Sequence, residues 1–226
     1  MKGFTLVEIA IVLVIIGLLL GGVLKGQEMI TQGRIKNSII DFTGVTAAYY
    51  AYIDRYKALP GDDSQANMRW SILPSGASGN GDGIVNGVYN ATGTGLVESQ
   101  MFWMHLRAAG LVTGQAASSR QPMNASGGMI GVQTGDGPGQ GSTPGGKLKT
   151  SAADTGMTTL MMCSSGLPDK VAAAVDMQLD DGVSNTGNLR AQTTAVPDPI
   201  QSTALAPSGT SGSLNGYSDS GTPFTI

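Results

Sequence analysis

Residues 4–25 read FTLVEIAIVLVIIGLLLGGVLK. From Ile9 to Leu24 no side chain is polar, and from Phe4 to Leu24 the one ionisable group is Glu8. At 1.5 Å per residue, that run makes a helix of about 31 Å, close to the ~30 Å hydrocarbon core of a bilayer. Lys2 and Lys25 flank it. A secretory signal would end in a small-x-small cleavage site. Lys25-Gly26-Gln27-Glu28 follows instead, which favours a retained anchor. Glu8 is the anomaly, because a carboxylate inside a lipid-facing helix costs about 2.5–3.5 kcal/mol. It either sits high enough to reach the headgroups or is kept for a partner.

The helical pattern continues past the membrane edge. Ile35, Ile39, Phe42, Val45, Tyr49, Ile53 and Tyr56 recur at helical spacing, while Arg34, Lys36, Asp41, Asp54 and Arg55 fall largely elsewhere. Leu59-Pro60-Gly61 is a stop signal. The spacing predicts one helix from about Thr5 to Ala58, with a membrane half and an amphipathic half. Tyr49, Tyr50, Tyr52 and Tyr56 are expected to pack against a sheet in the head.

The 226 residues suffice for one medium domain plus an anchor. Only 13% are charged and 5% aromatic, whereas Gly numbers 34. Small side chains and long loops follow, and a large aromatic core is excluded. The net charge of −3 argues against a nucleic-acid binder, which carries a basic stripe. One Cys excludes an intrachain disulfide, and one His excludes a two-histidine metal site. Glu98 to Ala109 and Pro168 to Leu179 read as short helices, stopped by Gly110 and Gly182. Met129 to Gln133 and Thr159 to Cys163 are the best strands, with Asn188 to Thr193 a weaker third. Gly135 to Gly146 reads as loop, and the Ser/Thr-rich tail from Thr193 onward as irregular, with a terminal strand open to it. The fold class is therefore α+β.

Candidate chemistry in the head is sparse. In Ser78-Gly79-Asn80-Gly81-Asp82-Gly83-Ile84-Val85-Asn86, oxygen side chains alternate as at the front of a calcium loop, but Tyr89 stands where the bidentate Glu belongs. A hydrogen-bonded Gly/Asn turn explains the same run. Asp176, Asp180 and Asp181 form a second acidic group, which also reads as a solvated helix end. His105 lies in an apolar helix and reads as a packing histidine, and Cys163 as a small buried apolar residue. Asp62 and Asp63 read as turn caps, with no partner base in sight. Asn90-Ala91-Thr92 and Asn124-Ala125-Ser126 match a glycosylation sequon, a pattern that chance produces often. No catalytic cluster is visible, so the chain reads as a non-enzyme.

Gly3-Phe4-Thr5-Leu6-Val7-Glu8, followed at once by the apolar run, resembles the processing motif of type IV prepilins and type II secretion pseudopilins. The strong likeness covers about residues 1–60. Tyr56 to Asp63, Trp103 to Leu111 and Leu179 to Gly182 are similar to a branch of large pilin-like proteins. The resemblance implies a pilin-like fold divided into a cleaved leader (1–3), a transmembrane and polymerisation helix (4–25), an amphipathic helix (26–59) and a globular head with its tail (60–226). It implies cleavage after Gly3 by a prepilin peptidase that also N-methylates Phe4. It implies that Glu8 meets the Phe4 amine of a neighbouring subunit. The partners it implies are a homo-oligomeric filament, membrane lipid before assembly, an inner-membrane assembly platform and an assembly ATPase. The chain would wait in a bacterial inner membrane with a periplasmic head, then enter a periplasmic or extracellular filament. Calcium near the chain end, in place of a disulfide, is a feature of secretion pseudopilins, and the Asp176, Asp180, Asp181 group is its match here. One departure is Lys25, where many members carry a helix-breaking proline. Gly17, Gly21, Gly22 and Gly26 lie nearby and suit either local unwinding or close helix packing. A surface pilus, a secretion pseudopilus and a minor or tip subunit with an adhesive or ligand-binding head all remain open at this level.

Overall fold

A computed structural model describes residues 5–92, 95–134, 157, 159–184, 186–193 and 224–226. The first helix, α1 (Leu6–Tyr56), spans 51 residues, a rod of about 76 Å. It runs unbroken through Gly17, Gly21, Gly22 and Gly26, and an added Cβ at any of the four would meet nothing within 4 Å. No residue before Ile35 is buried among those described. The first half of α1 is long and apolar enough to cross a membrane.

The second half of α1 carries the head. After α1 come α2 (Ala66–Arg69), α3 (Glu98–Ala108), β1 (Ile130–Thr134), β2 (Leu160–Ser164), α4 (Asp169–Leu179), β3 (Gln192–Thr193) and β4 (Phe224–Thr225). Strands β1 and β2 pair antiparallel, with Val132 opposite Met162 and Gly131 opposite Cys163. Strands β3 and β4 form a second antiparallel pair, Gln192 opposite Thr225. Ile226 extends this pair onto the first sheet: its N–H donates to the Ser164 carbonyl (3.1 Å), and the Ser164 N–H donates to its carbonyl (2.6 Å). The whole is an α+β fold.

Two apolar clusters fix α1 to the head. The lower one places Ile35, with Ile39 and Phe42, against Val171, Ala172 and Val175 of α4, closed by Leu167, Ala191 and Ile226. Alanines at the crossing let α4 approach closely, and each buried Val or Leu contributes about 1.5–3 kcal/mol. The upper cluster joins Ala48 and Tyr52 of α1 to Phe102, Trp103 and Leu106 of α3 and to Ile130 and Val132 of β1.

Three expectations are refined. Besides the sheet, which it meets through Ile130 and Val132 of β1, α1 packs on the helices α3 and α4, while α3 lies on β1. The tyrosines also meet helix and loop aromatics: Tyr49 stacks on Phe102 (6.4 Å), Tyr56 meets Trp70 edge-on (5.1 Å), and Tyr50 is 64% exposed. The seam of α1 also includes Ser38 and Ala48, which are buried more fully than most of the larger residues at the predicted positions. Small residues take the places of closest approach. Finally, α1 ends at Tyr56 rather than Ala58, because Lys57 turns into the left-handed region (φ 55°) and its N–H closes on the Ile53 carbonyl at 2.8 Å. The expected loop at Gly135 to Gly146 lies outside the described residues, as does most of the tail. Residues 224–226 supply the terminal strand.

Candidate functional site

The amino-terminal site begins with a helix cap. Thr5 is extended (φ −81°, ψ 151°), and its hydroxyl accepts the Glu8 N–H at 3.3 Å. Glu8 Oε2 in turn accepts the Thr5 N–H (2.7 Å) and the Thr5 hydroxyl (2.8 Å). This is a capping box, which satisfies otherwise orphaned N–H groups of the first turn. The spacing Thr5-x-x-Glu8 is the sequence signature of such a cap. The carboxylate therefore has a local partner, and none of the bonds to Glu8 uses Oε1. Gly3 and Phe4 lie outside the described residues.

In the head, a buried polar network ties the end of α1 to the loops that follow. Tyr52 donates its hydroxyl to Asp63 Oδ2 at 2.7 Å, and Arg69 forms an ion pair with the same carboxylate. The Gln65 N–H donates to Asp63 Oδ1 at 2.9 Å. His105 stacks on Tyr52 with ring centroids 6.2 Å apart. Its Nδ1 accepts the Gly61 N–H (2.9 Å), so Nε2 carries the proton and donates to the Ala77 carbonyl (2.8 Å). Burial holds the His105 pKa below its ordinary value. Gly61 sits at φ 90°, and a Cβ there would lie 2.6 Å from the Glu98 carbonyl oxygen. His105 is thus a satisfied packing histidine. Cys163 is buried as well, and burial pushes its thiol up to about 12.

The structure rearranges the first acidic candidate. Asp62 is 4% exposed and accepts N–H groups from Gly81 (2.6 Å), Asp82 (3.2 Å) and Gly83 (2.7 Å). Glu98 accepts the N–H groups of Asn80 (3.1 Å) and Asn86 (2.8 Å), and the Asn86 side-chain amide (2.9 Å). Burial raises the Glu98 pKa against these bonds. Asn80 Oδ1 and Asp82 Oδ1 are turned onto the loop's own N–H groups at 2.9 Å each. The loop therefore wraps its donors around two carboxylates from outside it, and neither Asp62 nor Glu98 was part of the sequence candidate. One oxygen from each of Asp62, Asp82 and Glu98 falls within 4.8 Å of the others.

Asp176, Asp180 and Asp181 are brought together to the same tolerance. Asp176 is fully buried, which corrects its reading as part of a solvated helix end. Asp180 accepts the N–H groups of Asn188 (2.6 Å) and Leu189 (2.9 Å), and Asp181 accepts that of Val183 (2.8 Å). Hydrogen bonds from Thr186 and Val183 hold the Asp181 pKa below its ordinary value. In both groups the donor set fits hydrogen-bonded turns built on carboxylates. Of the two sequons, Asn124 is 6% exposed, with its amide donating to Ser164 Oγ and the Ser165 carbonyl. It holds a turn.

Against known proteins, neither a curated sequence nor a solved structure matches the chain. A family does match at the amino terminus, where the bare apolar helix begins under its Thr5–Glu8 cap. Over residues 1–24 the chain carries the prokaryotic N-terminal methylation motif, the prepilin-type signature of type IV pilins and pseudopilins.

Proposed function

We propose that the chain is a structural subunit of a type IV pilus or of a type II secretion pseudopilus-like filament. In this reading it is stored in the inner membrane with its head in the periplasm, and it polymerises through α1. The observation that carries the proposal is the join between the methylation motif and a continuous helix in which no described residue before Ile35 is buried. An apolar surface of that size needs lipid or other copies of itself. Cleavage after Gly3 would free the Phe4 amine and leave the Thr5–Glu8 cap in place, since the Phe4–Thr5 amide survives. Glu8 Oε1 is then available to the amine of a neighbouring subunit. Two opposite charges in a low-dielectric core favour pairing over separate burial. The peptidase, the assembly platform and the ATPase are the partners such a subunit requires.

The test is direct. Protein isolated from membranes or filaments should lack Met1 to Gly3 and carry one added methyl on Phe4 by intact mass. Gly3→Val should accumulate as uncut precursor with no filaments on electron micrographs. A mature chain that begins at Met1, or after Leu24, overturns the proposal.

A further inference from the structure

A wide cleft in the head is lined by α3 and the segment that leads into β1, with no α1 residue among its described lining. Its volume is about 850 Å³. Arg107 and Arg120 line it, and no acidic residue among the described ones does. The three ion pairs among the described residues use Lys25, Lys57 and Arg69, so neither cleft arginine has a carboxylate. Arg107 reaches back from α3 and donates to the carbonyls of Ser118 and Arg120 at 2.7 Å each. Among the described residues its guanidinium is compensated by those dipoles alone, and burial draws its pKa down. A half-buried cation without a counter-charge is costly, and an anion in the cleft relieves that cost. Arg120 is exposed, and its side chain makes no hydrogen bond or ion pair with a described residue.

The remaining lining points to the rest of the ligand. Gln100 is 3% exposed, and its side-chain oxygen has no donor. Gln121 spends its amide N–H groups on the carbonyls of Tyr89 and Ala91, which leaves its oxygen as an acceptor. The hydroxyl of Ser119 has no partner among the described residues. Met123 and Met129 add an apolar surface at the rim. Among the described residues no aromatic side chain lines the cleft to stack on a nucleobase. The volume falls in the range of organic ligands and far exceeds that of a single inorganic anion. The walls are rigid. Asn124 Oδ1 accepts the N–H groups of Ser126 and Gly128 at 2.9 Å each, and a Cβ on Gly128 would run into the Ser165 carbonyl.

We infer that this cleft binds a carboxylate-bearing oligosaccharide, with its carboxylate on Arg120 and the outer edge of Arg107 and its hydroxyls on Gln121 and Ser119. The site belongs to the head and stands whether or not the chain polymerises. The test uses the full chain in detergent micelles, titrated with trigalacturonate and sialyllactose as acidic probes, maltotriose as the neutral probe and inorganic phosphate as the bare anion. At least one acidic probe should bind, and maltotriose and phosphate should each bind at least about tenfold more weakly. Arg120→Gln should weaken the acidic probe about tenfold or more, as loss of a hydrogen bond to a charged group implies. It should leave the melting temperature unchanged, since the side chain holds nothing in place. Ser119→Ala should weaken binding less and without a change in its salt dependence. The inference fails if neither acidic probe binds, if maltotriose or phosphate binds as tightly, or if Arg120→Gln binds like the wild type.

Discussion

At the scale of the residue, His105 and Asp63 decide how α1 enters the head. His105 is neutral by necessity, because a proton on Nδ1 would face the Gly61 N–H that now donates to it. Its pKa is lowered in the folded state by burial, so the unfolded chain binds the proton more readily. Stability is therefore fully present above the ordinary histidine value near 6.5 and is lost as pH falls from there toward the folded value. Glu98, with its pKa raised, acts in the opposite sense and in a more acidic window. His105→Gln keeps an acceptor for Gly61 and a donor for Ala77 without a titrating ring. Melting curves at pH 7.5 and 5.5 should show a smaller acid loss for the variant than for the wild type, and equal losses would refute the role. Asp63 is a different case. Removing it by Asp63→Ala strands the Tyr52 hydroxyl and the Arg69 charge together. Breaking a buried pair from one side costs about 3–5 kcal/mol. The 29% exposure of Arg69 places the expected loss at the low end, about 3 kcal/mol by denaturant titration.

At the scale of the element, α1 was legible almost to its ends and its contacts were not. Apolar periodicity and Pro60 bounded the helix to within two residues at its carboxyl end. Periodicity weights large side chains, and two of the buried positions fall on Ser38 and Ala48, whose small side chains add little to such a pattern. The α1–α4 seam gives a test of that explanation. Ser38→Leu adds three carbons where the residue is 1% exposed, and overpacking of this kind costs about 1–3 kcal/mol. Ile40→Leu, two residues on and on the far side of the helix at 63% exposure, should be neutral in the same thermal melt. The acidic loop failed to read for a related reason. Spacing within residues 78–86 suggested oxygens that face inward, whereas the partners Asp62 and Glu98 come from 12–21 residues away in the chain. Local pattern carries no information about such acceptors. Helices α3 and α4 and the β1–β2 pair were readable because each is bounded by its own glycine or proline, whereas the four-residue α2 is too short to show a period. The terminal strand β4 has no signature in the sequence, since two residues of pairing carry no periodicity.

At the scale of the whole molecule, the chain separates into a length of helix that its own head ignores and a head that needs only the remainder of that helix. The first buried residue of α1 is Ile35, and the buried positions that follow are Ser38, Ala48 and Tyr52. A chain that begins at Met29 keeps all of them and sheds the apolar stretch from Phe4 to Leu24. It should be soluble without detergent and unfold in one cooperative transition. Its melting temperature should fall within a few degrees of that of the full chain in micelles, since almost no apolar surface buried on folding has been removed. A chain that begins at Ile39 loses Ile35 and Ser38 and uncovers Val171 and Ala172 of α4. It should be less stable by about 2–4 kcal/mol, the cost of emptying a buried isoleucine site. Paired thermal and urea unfolding of the two fragments measures the difference. Aggregation or absence of cooperative unfolding in the fragment from Met29 would show that the apolar half of α1 is part of the fold of the head. Equal stability of the two fragments would show that the α1–α4 contact contributes nothing to it.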